Sequence, residues 1–88
     1  MNNELEKLKI QLEQMEWPNL YFFKFIVPNS SENIAKTSAL FDLNSIISYH
    51  ESKNGKYVSI SVKEIMTNVG SVIEIYEKAF LIKGLIAL

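Results

Sequence analysis

Apolar and polar positions along the chain change period several times, and each change marks an element. From Asn3 to Met15, Leu5, Leu8, Leu12 and Met15 recur at helical spacing, with Glu4, Lys7, Lys9, Gln11 and Glu13 between them. This predicts a helix with a narrow apolar stripe. Trp17-Pro18 ends it, because a residue before proline avoids the helical conformation. Two heptads are too short for an independent coiled coil, so the stripe is expected to dock on its own domain.

Leu20 to Val27 is dense in aromatic and β-branched residues and reads as a strand closed by Pro28-Asn29. Tyr21, Phe23, Phe25 and Val27 form one face, and Phe22, Lys24 and Ile26 the other. A strand apolar on nearly both sides belongs in the middle of a sheet. Asn29-Ser30-Ser31-Glu32 then supplies capping oxygens for a helix expected to reach about Leu43, with Ile34, Ser38 and Phe41 inward.

Ile46 to Ser52 and Tyr57 to Ile65 predict a hairpin around Asn54-Gly55, read as a two-residue turn with positive φ at both positions. That turn fixes a register pairing Lys53 with Lys56, Ser52 with Tyr57, Glu51 with Val58, and so on to Ile47 with Val62. Ile47 and Tyr49 then join Val58, Ile60 and Val62 on the core face, and Ser48 and His50 join Ser59 and Ser61 on the other. Thr67-Asn68 caps a last helix with Val69, Val72, Ile73, Tyr76, Ala79 and Phe80 inward. Lys83-Gly84 fits a helix C-cap, and Leu85 to Leu88 a short final strand.

Strand, helix, hairpin, helix, strand is the split βαβ arrangement. Right-handed crossovers put both helices on one side of a four-stranded antiparallel sheet ordered 4-1-3-2, an α+β, ferredoxin-like βαββαβ sandwich. Residues 1–16 are then a helical extension and 17–88 the domain. The sheet's other face has no cover from within this unit, so Phe22, Lys24, Ile26, Ser48, His50, Tyr57, Ser59, Ser61 and Lys63 become the candidate surface. Phe22 and Ile26, with Tyr57 near them, would begin an apolar patch there.

Composition narrows what that surface can do. The chain has 88 residues and a net charge of −1, and its nine basic residues are all lysines. Without arginine it lacks the preferred group for bidentate phosphate grip and base stacking, which argues against nucleic acid. Without cysteine it has no disulfide, thiolate metal site or thiol nucleophile. The three glycines are isolated, so no phosphate-binding loop is present. Lone His50 cannot make a metal site, and the simplest reading of it is a surface strand residue bonded to Ser59 or water. No catalytic residue, metal or cofactor is expected. No apolar run approaches the length of a membrane span, no signal peptide is visible, and a cytoplasmic setting is expected.

Trp17-Pro18, Phe23-Lys24-Phe25-Ile26-Val27-Pro28-Asn29, Glu51-Ser52-Lys53 with Gly55-Lys56-Tyr57-Val58-Ser59, and Val72-Ile73-Glu74-Ile75-Tyr76 together resemble the YbeD-like family of small bacterial proteins of unknown function. The likeness runs from about Leu5 to Leu88. It implies a ferredoxin-like fold similar to ACT regulatory domains, a bacterial cytoplasmic setting and no reaction. The leading expectation is a non-catalytic regulatory or adaptor module that self-associates and takes a small metabolite in an ACT-like manner. The alternative is single-stranded RNA binding, with Phe22 and Tyr57 as stacking rings and Lys24 and Lys63 nearby.

Overall fold

The computed structural model describes residues 3–42 and 45–88. Its elements are α1 (Asn3–Glu13), β1 (Asn19–Pro28), α2 (Ser31–Ser38), β2 (Ile46–Glu51), β3 (Tyr57–Met66), α3 (Val69–Ala79) and β4 (Ile86–Ala87). The strands form one antiparallel sheet ordered β2-β3-β1-β4, which read from the other edge runs 4-1-3-2.

The long β1–β3 ladder organises the core. Phe23 lies opposite Val62, Phe25 opposite Ile60 and Val27 opposite Val58, and all six are buried. Phe41 and Tyr76 close over this row, with ring centroids 5.2 Å and 5.5 Å from Phe23. Every fully buried side chain of β1 and β3 points to this one face, so the helices cover that side alone. Offset and tilted ring pairs of this kind add to what area burial supplies.

Both helix starts have the side-chain caps their sequences suggest. The Ser30 hydroxyl accepts from the Asn33 N–H, and the Asn68 side chain accepts from the Ser71 N–H. The end of α2 differs from expectation. The helix stops at Ser38, and the Leu40 and Phe41 N–H groups bond three residues back, to Thr37 and Ser38. This tightening turns Phe41 into the aromatic cluster, a pull that outweighs continued helix. Leu43, the expected end, lies outside the described residues. Thr37 is buried as well, its hydroxyl donating to the Asn33 carbonyl at 2.8 Å. Ile75 joins the buried set on α3, against which α1 packs, while Phe80, the residue after that helix, stays exposed.

The hairpin pairs Glu51 with Val58 through Ile46 with Lys63 in the expected register, but its turn is built differently. Only Gly55 has positive φ, and its N–H donates to the Ser52 carbonyl at 2.9 Å. Asn54 Oδ1 accepts from the Lys56 N–H, and the Ser52 hydroxyl accepts from the Tyr57 N–H. Lys53 and Lys56 are therefore loop residues rather than a strand pair. Residues 53–56 and residues 54–55 are both even-numbered loops, so the change of turn leaves every facing residue where it was.

Gly84 is not a helix cap. Phe80 caps α3, and Gly84, at φ 81°, turns the chain into β4 against Pro28. That strand is shorter than the expected Leu85–Leu88. It pairs Ile86 with Ile26 and Ala87 with Phe25, and the Leu88 N–H then donates to the Lys24 carbonyl.

Candidate functional site

The helical extension does not cover the second face of the sheet. Leu5 and Leu12 enter the main core on the helix side, and Trp17 Nε1 donates to the Leu12 carbonyl at 2.9 Å. Phe22 is left in solvent, together with Lys24, His50, Ser48, Tyr57 and Lys63, while Ile26, Ser59 and Ser61 are half-buried.

The ladders place these residues in rows. Ile46, Lys63 and Phe22 form one row, and Ser48, Ser61 and Lys24 the next. His50, Ser59, Ile26 and Ile86 form the third. Lys63 Nζ lies 5.8 Å from the Phe22 ring centroid, a cation–π contact across the ladder. His50 meets Ser59 through its backbone: the Ser59 hydroxyl donates to the His50 carbonyl at 3.4 Å, and the imidazole takes no part.

Tyr57 does not adjoin Phe22. It lies opposite Pro28, while Phe22 lies opposite Lys63, six residues further along β3. At strand rise that is about 20 Å. The two rings sit at opposite ends of the face, and the neighbour of Tyr57 is Ile26, with which it lines a small depression.

Four apolar residues of this face escaped the sequence reading. Leu20 pairs with Ile65 beyond Phe22, Ile46 lies outside Lys63, and Ile86 flanks Ile26. Their exposures are 58% for Leu20, 69% for Ile65, 70% for Ile46 and 54% for Ile86, against 53% for Phe22. The signal was present in the alternation, since each has the parity of the solvent side. They lie at the ends of the expected strands or on the sheet edges, and the face was followed only through the middle of the sheet.

The face is therefore apolar at the Leu20–Phe22–Ile46–Ile65 end, polar across Ser48–Ser61–Lys24, and apolar again at Ile26–Tyr57–Ile86. Among the described strand residues of this face, the charged groups are Lys24 and Lys63. A depression of about 780 Å³ borders the first end, walled by Leu20, Ile46 and Ile65 and edged by Glu64, to which the Ser45 hydroxyl donates.

On the helix side, the Tyr21 and Tyr76 hydroxyls meet at 3.0 Å. Burial first, and then the hydrogen bond to Tyr21, push the Tyr76 phenol far above the usual tyrosine range. This pair backs a groove of about 550 Å³ between α1, α3 and the end of β4.

No described helix is long and apolar enough to cross a membrane. No family model, curated protein or solved structure matches the chain at a significant level.

Proposed function

We propose that this chain is a non-catalytic regulatory or adaptor module that works by self-association, with the uncovered sheet face and its borders as the contact surface. The observation that carries this reading is the apolar end at Leu20, Phe22, Ile46 and Ile65, solvated on a face that no element of the described chain covers. Patches of this kind mark contact sites on small soluble domains. Full burial of such a side chain is worth about 1.5–3 kcal/mol, so removing the remaining exposure of these four contributes about 4–7 kcal/mol. That is near the lower end of the roughly 4–15 kcal/mol that association costs, which fits a concentration-dependent complex rather than an obligate one.

A second copy is the partner that suits the face. Its apolar–polar–apolar rows superpose on themselves under a two-fold rotation in the plane of the sheet, so apolar ends meet apolar ends. A ferredoxin-like fold in a YbeD-like, ACT-like setting belongs to this same proposal, and a small metabolite held between copies is the ligand class it implies. RNA binding through Phe22 and Tyr57 is the weaker alternative, because successive bases could not stack on two rings about 20 Å apart.

Native mass spectrometry of protein purified from its own host is the test. The proposal expects masses of two or more chains, with or without a retained small molecule. A single-chain mass at every concentration, with nothing retained, would overturn it.

A further inference from the structure

Within the uncovered face, one short side chain stands among longer ones. Ser59 lies between His50 and Ile26 in a single row, with Tyr57 in the row on one side and Lys24 in the row on the other. Each row is about 7 Å from the next at strand rise. The longer side chains therefore rise around Ser59 and enclose a depression of about 350 Å³, near the lower end of small-ligand sites.

The polar groups here divide by occupation. The Ser59 hydroxyl donates to the His50 carbonyl, and the Ser52 hydroxyl donates to Asn54 Oδ1 and accepts from the Tyr57 N–H. The Lys24 ammonium, the His50 imidazole and the Tyr57 hydroxyl meet no protein partner among the described residues. All three can donate, and no carboxylate lines the depression. Half-buried Ile26 and the Tyr57 ring supply apolar wall beside them. The larger depression at the Leu20 end differs, because Glu64 stands there beside Lys63.

Face-to-face association makes this charge matter. A two-fold axis in the plane of the sheet, through the Ser48–Ser61–Lys24 row, carries that row onto its copy. Lys24 of both copies then enters the contact, and the described strands of the face bring no carboxylate with them. An ammonium taken out of water without an anion is costly, and an anion beside it relieves that cost.

We infer that the depression takes a small organic carboxylate, its anionic end at Lys24 and His50 and its apolar body against Ile26 and Tyr57, and that the second copy closes over it. This rests on the self-association proposed above and names the ligand class and its seat. Ligand held between copies favours the associated state, so binding and association are linked.

Amide NMR of the isotope-labelled chain, titrated at matched ionic strength with benzoate and separately with benzyl alcohol, tests this. The two probes share a ring, and only benzoate carries the charge. Benzoate is expected to shift the amides of Ile26, His50, Tyr57 and Ser59 and to bind about tenfold more tightly than the alcohol. In Lys24→Met, checked for native circular dichroism, that preference is expected to disappear. Sedimentation with and without benzoate runs beside it, and benzoate is expected to raise the associated fraction. Self-association without charge-selective binding overturns this site and leaves the proposed function standing. Charge-selective shifts in a chain that stays single with benzoate overturn closure by a second copy. A single chain with no selective shifts overturns both.

Discussion

Raising the pH through the tyrosine range acts on one buried group of this fold, the Tyr76 phenol. It is 6% exposed and hydrogen-bonded to the Tyr21 hydroxyl, and burial first, then that bond, disfavours its anion. In the unfolded chain the same group titrates near its ordinary value of about 10. Its folded-state value lies above the unfolded one, so the stability held by the neutral phenol is complete below about pH 10 and is lost as pH climbs beyond it. Through this one residue the loss is about 0.4 kcal/mol at pH 10 and about 1.4 kcal/mol at pH 11. Tyr76→Phe removes the titration and one hydrogen bond, at a cost of about 1 kcal/mol near neutral pH. Urea unfolding of both proteins from about pH 8 to 11 reads the difference, in which titrating groups outside the Tyr21–Tyr76 pair cancel. The wild type is expected to be the more stable at pH 8 and to lose that lead by pH 11. Parallel stability curves across the range would refute the reasoning, since Tyr76 would then ionise as easily folded as unfolded.

Further substitutions test the parts of the fold that position the uncovered face. Gly84→Ala puts a Cβ at 2.7 Å from Pro28 Cγ in a left-handed backbone conformation. It is expected to cost at least about 2 kcal/mol by urea midpoint, and a change below about 0.5 kcal/mol would contradict this placement of β4. Leu12→Ala, at a core position of α1, is expected to cost about 2–5 kcal/mol in the same cooperative transition. An unchanged midpoint would mean that α1 does not belong to the folded unit. Asn68→Ala removes the α3 cap and is expected to cost about 1 kcal/mol, with Asn68→Asp recovering most of it.

The hairpin register was legible because two strands had to agree on one buried face, and parity alone settles that choice. The turn was not, because it depends on where the Ser52 hydroxyl and the Asn54 amide oxygen find partners, and the dipeptide Asn-Gly suits more than one such arrangement. The reach of α2 was overestimated for a similar reason. Nothing in the local sequence stops the helix at Ser38, and what turns the chain is the contact of Phe41 with Phe23 and Phe25 across the core. The candidate face was read correctly in its parity but too narrowly in its extent. Leu20, Ile46, Ile65 and Ile86 lay within the expected strands, but the face was followed only through the middle of the sheet and not to the strand ends and edges. The register of β1 against β3 separates Tyr57 from Phe22, and the hairpin alone does not set it.

The central claim is that this surface exists to meet a second copy, and Phe22 lies exposed at its apolar end. Sedimentation velocity of the wild type and of Phe22→Lys, across roughly a hundredfold range of concentration, tests it most directly. The substitution is at an exposed position, so the fold is expected to hold within about 0.5 kcal/mol. The account predicts a wild-type mass that rises from one chain toward two with concentration, and a variant that stays at one. A wild type that remains a single chain throughout, or a variant that associates equally well, would contradict it.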